Sequence, residues 1–180
     1  MGQYYLAVIL GEKRGAADKE TIRLALDPTD YANGMKLIEH SYVGNEFVMV
    51  MEFLLSQNGM FYKSRIVWAG DYADPEPETE ENLHLAPKPQ PRFFPGIPEP
   101  CMKYVKSLRY IVNHTKQQYV DKEGHTYHPL PLLTAEGNGC GNGDYRGVGE
   151  EYVGTWARHL ISMESEPPPT GYALLTLPSW

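Results

Sequence analysis

The apolar positions fall into short blocks separated by turns. Residues 4–10 run Tyr-Tyr-Leu-Ala-Val-Ile-Leu and stop at Gly11, which predicts a buried strand. Residues 21–26 alternate weakly and suit either a strand or a short helix. Pro28, Asp30, Asn33 and Gly34 mark a turn-rich stretch. Over 45–59 the period changes: Phe47, Val50, Met51, Leu54 and Leu55 recur at helical spacing and form one apolar stripe. Asn45 is suited to cap this helix, Glu46 to face the positive end of its dipole, and Gly59 to take a left-handed conformation past its end. Val48, Met49 and Phe53 widen the stripe, so the helix is expected to be buried on most sides. Residues 64–68, with β-branched Ile66 and Val67, predict the next strand.

Residues 74–101 break the pattern. They hold eight of the 15 prolines and a cluster of Glu76, Glu78, Glu80 and Glu81. Proline lacks a backbone donor and fixes φ, so neither helix nor inner strand is expected there. Phe93, Phe94 and Ile97 imply that its second half packs on the body. Beyond it, 108–113 and 119–121 predict a hairpin joined through 114–117, and 129–134 reads as extended and apolar. Residues 159–163 and 172–177 read as strands on either side of the Pro167-Pro168-Pro169 break. The expected class is α+β: small mixed or antiparallel sheets with one main buried helix, in a single globular domain of 1–180.

Two half-units, about 1–74 and 102–180, are joined by the Pro-rich segment 75–101. Residues 6–10 resemble 109–113, and 65–68 resemble the 156–161 region. The clearest match is the pair of steps Trp68-Ala69 and Trp156-Ala157. It fits an internal duplication, and it fits equally a chance recurrence in a Gly- and Tyr-rich chain.

Composition narrows the function classes. The 180 residues are 42% hydrophobic and 22% charged, ordinary for a globular protein. Net charge is −7 and the basic residues are scattered, so neither a nucleic acid nor an anionic membrane is an expected partner. Two cysteines cannot build a disulfide framework. With no targeting signal or long apolar run, a cytoplasmic location is expected.

Several stretches carry candidate chemistry. Glu39-His40-Ser41 is an acid–base repertoire, but adjacent residues diverge and cannot form a triad with one another. Asp71 and Asp74 follow a strand and offer oxygen ligands, or an Asx-turn beside Gly70. His125, His128 and Cys140 lack paired zinc spacing, so no metal or other cofactor is expected. Glu136 precedes four alternating glycines, Gly137-Asn138-Gly139-Cys140-Gly141-Asn142-Gly143, followed by Asp144 and Arg146. Such a loop suits an anion-binding nest or a flexible connection, and it matches neither a P-loop nor a dinucleotide fingerprint. Trp156 and Arg158 are placed to share a strand face.

The opening Met-Gly-Gln-Tyr-Tyr, Lys36-Leu37-x-Glu39 and Arg65-Ile66-Val67-x-x-Gly70-Asp71-Tyr72-Ala73 together resemble a widespread group of uncharacterised proteins of bacteria, phages and fungi. Asn113-His114-Thr115-Lys116-Gln117-Gln118-Tyr119 resembles that group's Asn-x-x-Lys-x-x-Tyr turn. Trp156-Ala157 resembles its Trp-Ala-Gly-Asp-Arg-Ile stretch, with Arg158-His159-Leu160 in place of Gly-Asp-Arg. The resemblance implies a globular family and brings no activity with it.

Three readings follow. The first is a binding module for a small polar or anionic ligand between the half-units, lined by Gly137, Asn138, Gly139, Gly141, Asp144, Arg158, Trp156 and Asp71. The second is a hydrolase-type enzyme using Glu39, Asp71, Glu136 or Asp144. The third is an interaction or phage-related structural protein whose Pro-rich arm docks a partner or a second copy through Phe93 and Phe94.

Overall fold

The computed structural model describes residues 3–12, 20–77, 79–89, 96–137, 145 and 147–179. The N-terminal half supplies β1 (Tyr5–Leu10), β2 (Ile22–Leu26), α1 (Leu37–His40), α2 (Glu46–Leu55) and β3 (Ser64–Gly70). The C-terminal half supplies α3 (Glu99–Ser107), β4 (Tyr110–Asn113), β5 (Gln118–Asp121), α4 (Pro129–Thr134), β6 (Ala135–Glu136), β7 (Leu160–Glu164) and β8 (Ala173–Leu174). The class is α+β, as the pattern predicts, and the strands of both halves join in one mostly antiparallel sheet. Its order is β2-β1-β3-β7-β4-β5-β8, with β6 on β3.

From β2 to β5 this order reads alike from either end. β1 lies between β2 and β3, β4 lies between β5 and β7, and β3 pairs antiparallel with β7 at the centre. The residues after each half's helix make a parallel pairing with the other half's central strand: Ser56 with Met163, and Ala135 with Trp68. Phe61 N–H donates to Leu54 O at 2.9 Å, and Trp156 N–H donates to Leu133 O at 2.8 Å. The topological counterpart of Trp156 is therefore Phe61, and that of Trp68 is Met163. The matched Trp-Ala steps do not correspond: Trp68 lies in β3, whereas Trp156 lies in the turn before β7.

One face of the sheet carries the helices. Tyr5, Ala7, Ile9, Ile66, Trp68, Ile111, Ile161 and Met163 point toward α2 and α4, and all are buried. Period-2 alternation puts these residues on one face, and each fully buried large side chain contributes about 1.5–3 kcal/mol. Asn45 caps α2 as expected, its Oδ1 accepting from Phe47 N–H at 3.0 Å. The helix ends at Leu55, and Gly59 is not left-handed. A Cβ there would lie 2.1 Å from the Phe53 carbonyl oxygen and 2.4 Å from that of Leu54. Close approach to the helix end, and not φ, requires the glycine.

Two expectations fail for one reason. Residues 129–134 are helical, not extended, and a second helix begins at Glu99 inside the Pro-rich segment. In both, prolines occupy the first turn, whose N–H groups have no intrahelical acceptor anyway.

On the other face, Leu6, Val8, Leu10, Val67 and Ala69 form a second apolar cluster closed by Leu83 of the Pro-rich segment. Asn82 Nδ2 donates to Asp71 O at 3.0 Å and Ala73 O at 2.9 Å, fastening that segment down. Phe93 and Phe94 lie outside the described residues. Among the described residues, no helix is long and apolar enough to cross a membrane.

Candidate functional site

The buried histidines on the helical face are structural. His40 Nδ1 faces Gly34 O at 2.9 Å while Nε2 accepts from the Trp68 indole N–H at 3.1 Å, so the proton sits on Nδ1. His128 Nδ1 accepts from Leu130 N–H at 3.1 Å, so Nε2 donates to Glu52 at 2.8 Å. Burial pushes both imidazoles below the ordinary histidine value and outweighs the Glu52 carboxylate beside His128. Burial acts to raise the Glu52 carboxyl, but His128 and Lys122 outweigh it and hold it below the usual range.

The residues singled out from sequence divide into two groups. Glu136 and Arg158 converge: Arg158 Nε donates to Glu136 Oε2 at 2.9 Å. The guanidinium also makes a two-pronged contact with the buried Glu76, through Nη1 at 3.0 Å and through Nη2. Burial lowers the Arg158 pKa, but bonding to Glu76 and Glu136 outweighs this and raises it. Glu20 completes the network, with Arg65 bound to both its oxygens at 2.7 and 2.6 Å. Both arginines have carboxylate partners, so the cluster ties the Pro-rich segment to the sheet and, among the described residues, leaves neither arginine unpaired.

The others serve local structure. Glu39 Oε2 accepts from Lys36 N–H at 3.0 Å at the start of α1, and Asp71 Oδ1 accepts from Tyr4 N–H at 3.0 Å. Trp156 is buried, and its indole N–H has no acceptor among the described residues. Gly137 is buried directly after β6, whereas Asn138, Gly139, Cys140, Gly141 and Asp144 lie outside the described residues. No contact joins Glu39, Asp71 and Glu136 to one another among the described residues. Nor does any group of three or more His, Cys, Asp or Glu among them suit a metal.

Two cavities lie elsewhere, on either side of Lys63. The larger, about 620 Å³, is an open groove at the ends of the central strands. It is lined by Leu10, Gly11, Glu12, Thr21, Arg23, Lys63, Ser64, Arg65 and Leu160. Arg65 is neutralised by Glu20, but Arg23 and Lys63 have no carboxylate within ion-pair distance among the described residues. Each lies over an aromatic ring, Arg23 on Phe61 at 4.9 Å and Lys63 on Tyr62 at 5.2 Å. The ring faces orient the cations without consuming their charge.

The smaller cavity, about 280 Å³, lies beneath Pro167-Pro168-Pro169 and contains Gln57, Tyr62, Lys63, His114, Glu164, Glu166 and Tyr172. His114 Nδ1 meets the Tyr172 hydroxyl at 2.9 Å and Nε2 meets Ser162 Oγ at 2.8 Å. Ser162 Oγ–H donates to Glu164 Oε1 at 2.7 Å. Gln57 Nε2 donates to Glu164 Oε2 at 3.2 Å, and the Tyr62 phenol bonds to the same carboxylate. Burial and that carboxylate push the Tyr62 pKa up to about 12. The composition is that of a serine-hydrolase triad, but the connectivity is not: the carboxylate holds the serine and the histidine faces a tyrosine.

Comparison with protein-family models, with curated proteins and with solved structures found no match. Sequence reasoning missed Arg23, Lys63, His114, Ser162, Glu164 and Tyr172. One signal was available: Ser162 and Glu164, two apart on a strand, put two polar groups on a face whose counterparts in β3, Val67 and Ala69, are apolar.

Proposed function

We propose that the chain is a binding module for a small anionic ligand, held in the groove formed by Arg23, Lys63 and Arg65. One observation carries the reading: Arg23 and Lys63 line a groove of about 620 Å³, each laid on an aromatic ring and without a carboxylate partner among the described residues. In a chain of net charge −7, the groove gathers three cations, Arg23, Lys63 and Arg65, against Glu12 in its lining and the Glu20 that pairs with Arg65, which leaves a local attractor for negative charge among the described residues. Leu160 closes the groove from the second half, so the ligand meets both half-units.

The test is calorimetric and thermal titration with inorganic phosphate, pyrophosphate and a sugar phosphate. A dissociation constant near 1 mM gives, at about 10 mM ligand, roughly 1.4 kcal/mol of stabilisation, or about 3–6 °C for a chain of this size. Arg23→Gln with Lys63→Gln removes the shift and leaves the unliganded melting temperature nearly unchanged. No shift with any of the three anions at 10 mM refutes the reading.

A further inference from the structure

Three histidines with two described ring contacts can be compared. The nitrogens of His40 meet a backbone carbonyl and an indole N–H; those of His128 meet a backbone N–H and a carboxylate. The carbonyl can only accept, and the N–H groups can only donate, so these rings are fixed. His114 differs. Both its nitrogens meet hydroxyls, Tyr172 Oη at 2.9 Å and Ser162 Oγ at 2.8 Å. A hydroxyl both donates and accepts, so neither contact by itself fixes which ring nitrogen carries the proton.

The polarity at rest follows from the far end. A carboxylate accepts only, so the Ser162 proton goes to Glu164 at 2.7 Å. Ser162 Oγ must then accept, which puts the His114 proton on Nε2 and leaves Nδ1 to accept from the Tyr172 O–H. Burial, with Lys63 adding to it and Glu164 opposing, lowers the His114 pKa, so the ring is neutral and its acceptor nitrogen free to take a proton. Tyr172, His114, Lys63, Glu164, Glu166 and Tyr62 all line the cavity. Ser162 is buried behind it. Tyr172, at the far end of this hydrogen-bond chain from Glu164, thus shares the cavity lining with Lys63.

We propose that Tyr172, His114, Ser162 and Glu164 form a proton relay that deprotonates an acidic O–H of a small molecule lodged in this cavity. The occupant's proton passes to Tyr172 Oη as the tyrosine's own proton passes to His114 Nδ1. The products are an oxyanion beside the Lys63 ammonium and an imidazolium whose Nε2–H points, through Ser162, at the Glu164 carboxylate. No bond other than O–H and N–H is made or broken, and charge balances. The chemical class is a small phenol, enol or similarly acidic hydroxyl compound. Such a relay performs general-base work.

The probe is p-nitrophenol, whose phenolate is distinguished from the phenol by its visible absorption. At a pH where the free probe is mostly protonated, protein in excess is expected to produce the phenolate spectrum, saturating with protein concentration. Tyr172→Phe, which keeps the ring and removes the oxygen, and Glu164→Gln, which keeps the shape and removes the charge, are each expected to cut the phenolate fraction at saturation at least tenfold. Lys36→Gln, at an exposed residue at the start of α1 that lines neither cavity, leaves it unchanged. In ¹⁵N spectra of the free protein, His114 is expected as the Nε2–H tautomer. A probe that fails to bind, that binds protonated, or that ionises equally in Tyr172→Phe overturns the relay. So does an Nδ1–H tautomer.

Discussion

Glu76→Ala tests whether the Pro-rich segment is fastened to the sheet by charge. Glu76 leaves β3's end on that segment and meets the Arg158 guanidinium with both oxygens; the two side chains are 6% and 24% exposed. Breaking a fully buried pair by removing one partner costs about 3–5 kcal/mol, because the other charge stays buried. Here the loss is smaller. Arg158 keeps Glu136 at 2.9 Å and has Glu20 at 3.8 Å, and a quarter of it reaches water. The expected cost is about 2 kcal/mol, or about 4–8 °C in melting temperature for a chain of this length. Glu76→Gln, which can still accept one hydrogen bond, is expected to lose about half as much. Urea unfolding should show a lower midpoint with an unchanged slope, and proteolysis within 77–89 should speed up. A loss under about 0.5 kcal/mol for the alanine variant would place the pair with screened surface contacts and refute the fastening.

Gly59→Ala is expected to cost about 2–3 kcal/mol, because the obstacles to its Cβ are the carbonyl oxygens of Phe53 and Leu54 and not a movable side chain; an unchanged urea midpoint would contradict that packing. Stability should fall on acidification below about pH 6.5, since His40 and His128 are held neutral by burial when folded and take up protons when unfolded. The unfolded chain binds more protons, so stability rises with pH through that window, by up to about 1.4 kcal/mol per pH unit per histidine. Flat urea midpoints between pH 7.5 and 5.5 would sink the assignment, and His128→Gln should reduce the slope.

The strands and the main helix were legible because their signals are local. The apolar run of β1, stopped by Gly11, and the stripe and cap of α2 need no knowledge of the rest of the chain. α3 and α4 were hidden by the prolines at their starts, which read as breakers to anyone who does not know where the first turn lies. The site was less legible for a different reason. Glu136 and Arg158 were recognised, but the further carboxylates around Arg158, Glu76 and Glu20, come from 60 or more residues before Glu136. Lys63 and Arg23 drew no attention because an unpaired cation is recognised only by the absence of neighbours. His114 looked like a hairpin residue, and only the return of the chain after Pro167-Pro168-Pro169 brings Tyr172 onto it.

The repeated strand order sets two equivalent cations in different surroundings. Lys63 and Arg158 occupy equivalent places, two residues after Phe61 and Trp156, and both are left-handed, with φ of 53° and 64°. The residues following the two parallel pairings are also equivalent: Gln57 in one half and Glu136 in the other. At Arg158 the chain supplies its own counter-charge, from Glu136 beside it and Glu76 folded over it. At Lys63 the corresponding residue is an amide spent on Glu164, and the covering segment brings prolines and Tyr172. The same framework thus closes one cation internally and leaves the other between two cavities. Among the described residues Lys63 has no carboxylate within ion-pair distance, and its contact with the Tyr62 ring leaves its charge available. Its placement on an aromatic ring, between a basic groove and a hydroxyl–imidazole chain, is what the proposed ligand chemistry on the Lys63 side of the sheet rests on, whereas the Arg158 side is closed by its own carboxylates.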